Sequence, residues 1–167
     1  MPLSKARAFL DEHHIQYVVI SHSKAFTAQG IAAITHIPGQ ELAKTVIVKL
    51  DGALAMAVLP ASYQVDLLAL KKVIGVRDAS LATEREFKQA FPDCETGAMP
   101  PFGNLYGIPV YVDETLTHDI DIAFNAGTHL ELIRMGYADF ERLVKPEVLD
   151  FSTPHSEPFD REPELVL

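Results

Sequence analysis

The spacing of apolar and polar positions changes several times along the chain, and each change predicts an element. Ser4 is placed to cap a helix running to about His13, with Phe9 and Leu10 on its apolar side. Gln16 to Ile20 is rich in β-branched and aromatic residues and reads as a strand. Thr27 could cap a second helix over Ala28–His36, which Pro38-Gly39 would end. The strongest local signal follows: Lys44–Leu50 and Ala53–Leu59, two apolar runs around Asp51-Gly52, predict a hairpin, because that dipeptide accepts positive φ at the turn.

Helical spacing returns over Val65–Ile74, with Lys71 and Lys72 at the end that suits cations. Thr83, with Glu86 three residues on, has the pattern of a capping box. The run from Gly97 through Pro100-Pro101 to Gly103 cannot be regular structure, since two prolines remove donors and restrict the residue before each. Ile108–Val112, Ile120–Asn125 and Thr128–Met135 read as further strands, the last two joined through Ala126-Gly127, and Tyr137–Leu143 as a short closing helix. About six strands and four or five helices, not strictly alternating, indicate a mixed-sheet α+β or α/β domain over residues 1–150. Residues 151–167, with three prolines and an acidic excess, read as a flexible tail.

Composition narrows the class. At 167 residues, 48% hydrophobic and 22% charged, the chain suits one globular domain. The longest apolar run, residues 53–60, is far short of the ~20 residues that span a bilayer, and the start of the chain lacks the apolar core of a signal peptide. A cytoplasmic setting with no membrane partner is expected. One cysteine rules out an internal disulfide and multi-cysteine metal sites.

The net charge of −9 first argues against a nucleic-acid partner. Its distribution weakens that argument: residues 1–40 and 41–90 each carry +1, whereas residues 91–167 carry −11. A broad DNA- or RNA-coating surface is excluded; a site that touches a few phosphates is not.

Familiar catalytic signatures are missing. There is no phosphate-binding Gly-x-x-x-x-Gly-Lys run, no Gly-x-Gly-x-x-Gly and no Gly-x-Ser-x-Gly elbow. No two histidines have chelating spacing, and Cys94 lies between Asp93 and Glu95, which disfavours a thiolate. Three features remain: Lys44 opening an apolar strand, the Pro-rich loop, and the polar turn Asn125-Ala126-Gly127-Thr128-His129. Each has a plain reading, as a solvated strand-end lysine, a turn and a satisfied histidine. Each also has a functional one, since a lysine beside a rigid loop with free N–H groups can hold a phosphate and polarise a carbonyl.

The run Ala43–Val48, the loop Gly97–Gly103 and the turn Asn125–His129, in that order, resemble the YbaK / prolyl-tRNA synthetase editing-domain family, with the likeness extending over roughly residues 4–149. The resemblance implies a compact mixed-sheet domain that hydrolyses the ester of tRNA mischarged with a small amino acid, with no metal, cofactor or covalent intermediate. It implies that Lys44 engages the phosphate or ribose of the terminal adenosine, and that Gly97 and Pro101 belong to the loop orienting the carbonyl and water. His129 would border the aminoacyl pocket and limit its size. Contact with substrate would extend to Thr45, Ala98, Met99, Phe102, Asn125, Gly127 and Thr128.

Thr45 follows the lysine where some members have asparagine, so pocket details do not transfer. The implied partner is the acceptor end of tRNA, with an aminoacyl-tRNA synthetase as a second. The alternative is a non-catalytic binding module for an amino acid or aminoacyl-adenosine group, or a synthetase-associated partner.

Overall fold

The computed structural model describes residues 2–21 and 41–154. The helix expected over Ala28–His36, with its Thr27 cap and Pro38-Gly39 stop, lies outside them. Among the described residues, four α-helices accompany ten strands: α1 (Pro2–Glu12), β1 (Tyr17–Ser21), β2 (Ala43–Leu50), β3 (Ala53–Pro60), β4 (Tyr63–Val65), α2 (Leu67–Ile74), β5 (Ala79–Leu81), α3 (Glu84–Ala90), β6 (Val110–Asp113), β7 (Asp121–Asn125), β8 (Glu131–Gly136), α4 (Tyr137–Val144), β9 (Glu147–Leu149) and β10 (Ser152–Pro154).

A five-stranded mixed sheet has the order β5-β2-β3-β6-β9. The hairpin β2–β3 is its centre, with Asp51 and Gly52 both at positive φ, as the turn requires. β6 joins β3 in parallel and β9 joins β6 in parallel, while β5 runs antiparallel to β2. A second, antiparallel sheet has the order β1-β8-β7, and β10 pairs with β4.

Alternation along β2 and β3 sends side chains into two cores. Ile47, Met56 and Val58 face the larger one, with Leu10, Phe91, Phe124, Ile133 and Phe140. Val46, Val48, Ala57 and Leu59 face a second layer closed by Leu70 of α2 and by Phe151. Phe102 is the hub of the larger core: its ring lies 5.3 Å from Phe124, 5.6 Å from Phe9 and 6.2 Å from Phe140. Burying such a ring contributes about 1.5–3 kcal/mol.

Local chemistry fixes the ends of elements. Asp66 caps α2 by accepting the Ala69 N–H, so the helix starts after Val65, which is spent in β4. Thr83 and Glu86 form the expected reciprocal capping box. α1 begins at Pro2, two residues before the cap assigned to Ser4, and proline suits a first turn where its missing N–H costs nothing.

The boundary placed at residue 150 is too early. Phe151 is fully buried and Ser152–Pro154 pair with β4, because Asp113 accepts the Phe151 N–H at 3.0 Å and holds the chain against the sheet. The Asp113 carboxylate is itself buried, and it accepts from the Thr115 N–H at 3.2 Å and the Thr115 hydroxyl.

Candidate active site

Among the described residues, the two larger sheets are joined by one parallel bridge, between Leu42 and Ala123. The Ala123 N–H donates to the Glu41 carbonyl at 2.9 Å, and the Ala61 N–H to the Leu42 carbonyl at 2.7 Å. Leu42, Ala61, Ala123 and Leu132 form a small apolar cluster at this seam. Lys44 follows Leu42 by two residues along its strand, and Asn125 follows Ala123 by two, so each takes the side of its own strand that the bridge residue takes. Opposite them in the ladders stand Leu59 and Leu132. The seam thus turns from apolar to polar where β2 begins and β7 ends.

Lys44 is only 2% exposed, which overturns the solvated strand-end reading. A long cationic side chain is rarely buried to this degree, since an ammonium removed from water needs compensating partners. Thr45, 3% exposed, points to the opposite face, with Ala43 and Ile47.

The Pro-rich loop is buried from Gly97 to Gly103. A loop so enclosed must account for its backbone polar groups. The Ala98 N–H donates to the Glu95 carbonyl at 3.0 Å, and the Ala98 carbonyl accepts the Gly127 N–H at 2.8 Å. The N–H groups of Gly97 and Met99 make no hydrogen bond among the described residues. Gly97 has φ of +80°, a conformation that glycine adopts without strain, and it lets the chain reverse into the loop.

Loop and turn are clamped to each other. The Glu95 N–H donates to the Gly127 carbonyl at 2.8 Å, and the Glu95 carboxylate accepts the His129 N–H at 2.6 Å. The His129 ring places Nε2 2.7 Å from the Thr96 carbonyl. A carbonyl can only accept, so Nε2 donates in this bond. The Thr128 hydroxyl accepts the Leu130 N–H at 3.3 Å, holding the turn before β8 starts at Glu131.

Hydrogen bonds therefore bring together the Gly97–Ala98 end of the loop and the Gly127–His129 turn, into which Asn125 leads, and the bridge joins the start of the Lys44 strand to the strand that ends at Asn125. Met99 and Phe102 are packed into the larger core, and Pro101 is buried with them in the loop. Sequence reasoning missed Glu95 and Thr96, which hold the loop to the turn. The available signal was an acidic side chain two residues before the loop glycine, a short-range acceptor next to a segment that cannot pair regularly.

Cys94 is held away from reactivity. Burial, with Asp93 adding to it, pushes its thiol up to about 11, and the phenol of Tyr106 beside it is raised by burial as well. At neutral pH the sulfur is protonated and a poor nucleophile. Among the described residues no three His, Cys, Asp or Glu side chains converge as a metal site. None of the described helices is long and apolar enough to cross a membrane.

A mixed-sheet domain with a buried lysine, a rigid loop offering backbone donors and a clamped histidine turn defines a site suited to an activated ester. Comparison with known proteins agrees. The model of the aminoacyl-tRNA editing domain matches residues 22–143. The multifunctional Ser/Thr-tRNA deacylase ProXp-y of Escherichia coli K12 is 30% identical over 149 residues, covering 86% of this chain and 89% of that protein. A proline–tRNA ligase from Exiguobacterium sibiricum is 29% identical over 106 residues, 63% of this chain but 19% of the ligase. Among solved structures, a protein proposed to be a trans-editing enzyme for prolyl tRNA synthetase superposes with a TM-score of 0.79 at 18% identity, covering 91% of this chain and 97% of its own. The chain belongs to the aminoacyl-tRNA editing domain family, and it is an aminoacyl-tRNA deacylase, an ester hydrolase.

Proposed function

We propose that the enzyme acts in trans, in the cytoplasm, on tRNA carrying a wrongly attached small amino acid, and that it recognises the acceptor end alone. The observation that carries this reading is the buried Lys44, two residues past the bridge to the strand that ends at Asn125, together with a loop whose Gly97 and Met99 N–H groups have no partner among the described residues.

An aminoacyl ester is already activated, so no strong protein nucleophile is needed. Water adds to the ester carbonyl carbon and the carbon–oxygen bond to the ribose breaks. The departing ribose oxygen takes a proton, leaving free amino acid and uncharged tRNA. Negative charge gathers on the carbonyl oxygen during addition, where rigid backbone N–H donors act best. Removing one such donor in other hydrolases costs roughly 10²–10³ in turnover. Pro100 and Pro101 fix the loop's φ angles, so its N–H groups need no reorganisation when charge develops.

In this reading Lys44 holds the phosphate or ribose of the terminal adenosine as a point charge, and His129 borders the aminoacyl group. Ala98, Gly127 and Thr128 shape the floor between them, while Thr45, Met99 and Phe102 support it from the core side. No metal is required. A synthetase that delivers or receives the tRNA is a natural second partner.

A panel of tRNAs charged with serine, threonine, alanine and cysteine tests the proposal. At least one should be deacylated well above background, and Lys44→Ala should lose that activity while keeping a native circular dichroism spectrum. Turnover of no substrate, or full activity in Lys44→Ala, would reject it. Tight binding of aminoacyl-adenosine analogues without hydrolysis would instead mark a binding module.

A further inference from the structure

Asn125 closes β7 at 5% exposure, and its Oδ1 is enclosed with no hydrogen-bond partner among the described residues. Its neighbours Ile122, Ala123 and Phe124 are buried apolar residues, so an apolar side chain would fit the strand's local pattern. Asparagine is disfavoured in strands, and a buried amide oxygen left without a donor destabilises the fold relative to an apolar side chain of the same shape. Among the described residues no group donates to this oxygen, which leaves it able to accept from a ligand.

The seam points to where such a ligand arrives, because Asn125 stands two residues beyond Ala123 and Lys44 two beyond its bridge partner Leu42. On the proposed reading, an aminoacylated ribose offers two kinds of donor, the α-ammonium of the amino acid and the free hydroxyl next to the ester. A neutral amide oxygen satisfies a neutral hydroxyl, whereas burying an ammonium against it leaves a charge without a counter-charge. The torsion that turns an asparagine amide is broad and roughly two-fold. With no hydrogen bond to break, Oδ1 can rotate toward an incoming donor at little cost.

We infer that Asn125 is a specificity residue whose Oδ1 accepts the hydrogen bond of the terminal ribose's vicinal hydroxyl. The contact orients the ester-bearing sugar, and it distinguishes an RNA end from a DNA end, since only the ribose carries that hydroxyl. This rests on the deacylase reading of the site and assigns one substrate atom within it.

The test uses acceptor-stem minihelices ending in seryl-adenosine joined through a stable 3′-amide, in 2′-hydroxyl and 2′-deoxy forms. Wild type should bind the hydroxyl form about 5- to 100-fold more tightly, the range expected for one hydrogen bond to a buried acceptor. Asn125→Leu should bind both forms alike and melt at or above the wild-type temperature. Asn125→Asp, which keeps an acceptor oxygen, should retain the preference. Equal binding of the two forms by wild type, a preference that survives in Asn125→Leu, its loss in Asn125→Asp, or a Leu variant that melts well below wild type would each overturn the assignment. Hydrolysis is scored separately. A wild type that deacylates tRNA but ignores the hydroxyl rejects only the Asn125 role, whereas one that prefers the hydroxyl form and never hydrolyses rejects only the hydrolase reading.

Discussion

The Glu95 carboxylate accepts the backbone N–H of His129 at 2.6 Å across 34 residues of sequence. Together with the bond from the Glu95 N–H to the Gly127 carbonyl, it locks the Pro-rich loop to the turn that presents His129. Glu95→Ala should therefore loosen the site more than the fold. Deacylation should fall about 10- to 100-fold, the scale of a small misplacement of reacting groups. Stability should fall by only about 1–2 kcal/mol, measured by urea denaturation. Glu95→Gln keeps an acceptor oxygen and should recover most of the activity.

His129 is 7% exposed and its ring is pinned to Thr96. If it limits the aminoacyl pocket, His129→Ala should shift the ratio of kcat/KM between a bulky and a small aminoacyl group toward the bulky one, by about tenfold or more. Parallel assays with leucyl- and seryl-tRNA read this directly; an unchanged ratio would place the size limit elsewhere.

The Lys49–Glu86 ion pair, at 2.7 Å, adds a pH dependence away from the site. The bond to Lys49, with the capping contacts to Thr83, holds the Glu86 carboxyl down to about 2. A lowered acid pKa stabilises the fold above the ordinary carboxylate value of ~4.3 and loses that contribution as pH falls through the folded value. Glu86→Gln should thus melt below wild type at pH 6, and the two melting curves should converge toward pH 2.

Phe151 tests the corrected chain boundary. Its ring is fully buried against the sheet and its N–H is held by Asp113. Phe151→Ala should cost about 3–5 kcal/mol in denaturant unfolding. A mobile residue would cost almost nothing.

Legibility from sequence followed the range of the interactions. The β2–β3 hairpin, the capping box at Thr83 and the Asp51-Gly52 turn rest on contacts within a few residues, and pattern alone reaches those. β4, β5, β9 and β10 are three-residue strands that exist because a neighbour supplies the pairing, so no local alternation marks them. The apolar pattern around Lys44 said nothing of its burial, since periodicity records the faces of a strand and not what covers them. The three site motifs could be recognised together only by family likeness. Glu95 was hidden because its role depends on a turn more than 30 residues later.

The bridge between Leu42 and Ala123 has a consequence in time. It closes a loop of about 80 residues, and the entropy of that closure must be met before the strands of Lys44 and Asn125 can meet. The hairpin can form early and locally; the site cannot. A chain emerging from the ribosome holds its lysine ready long before it has an asparagine, a histidine turn or a β8 to hold them. Activity should therefore appear late and all at once, so unfinished copies stay silent toward the charged tRNAs around them.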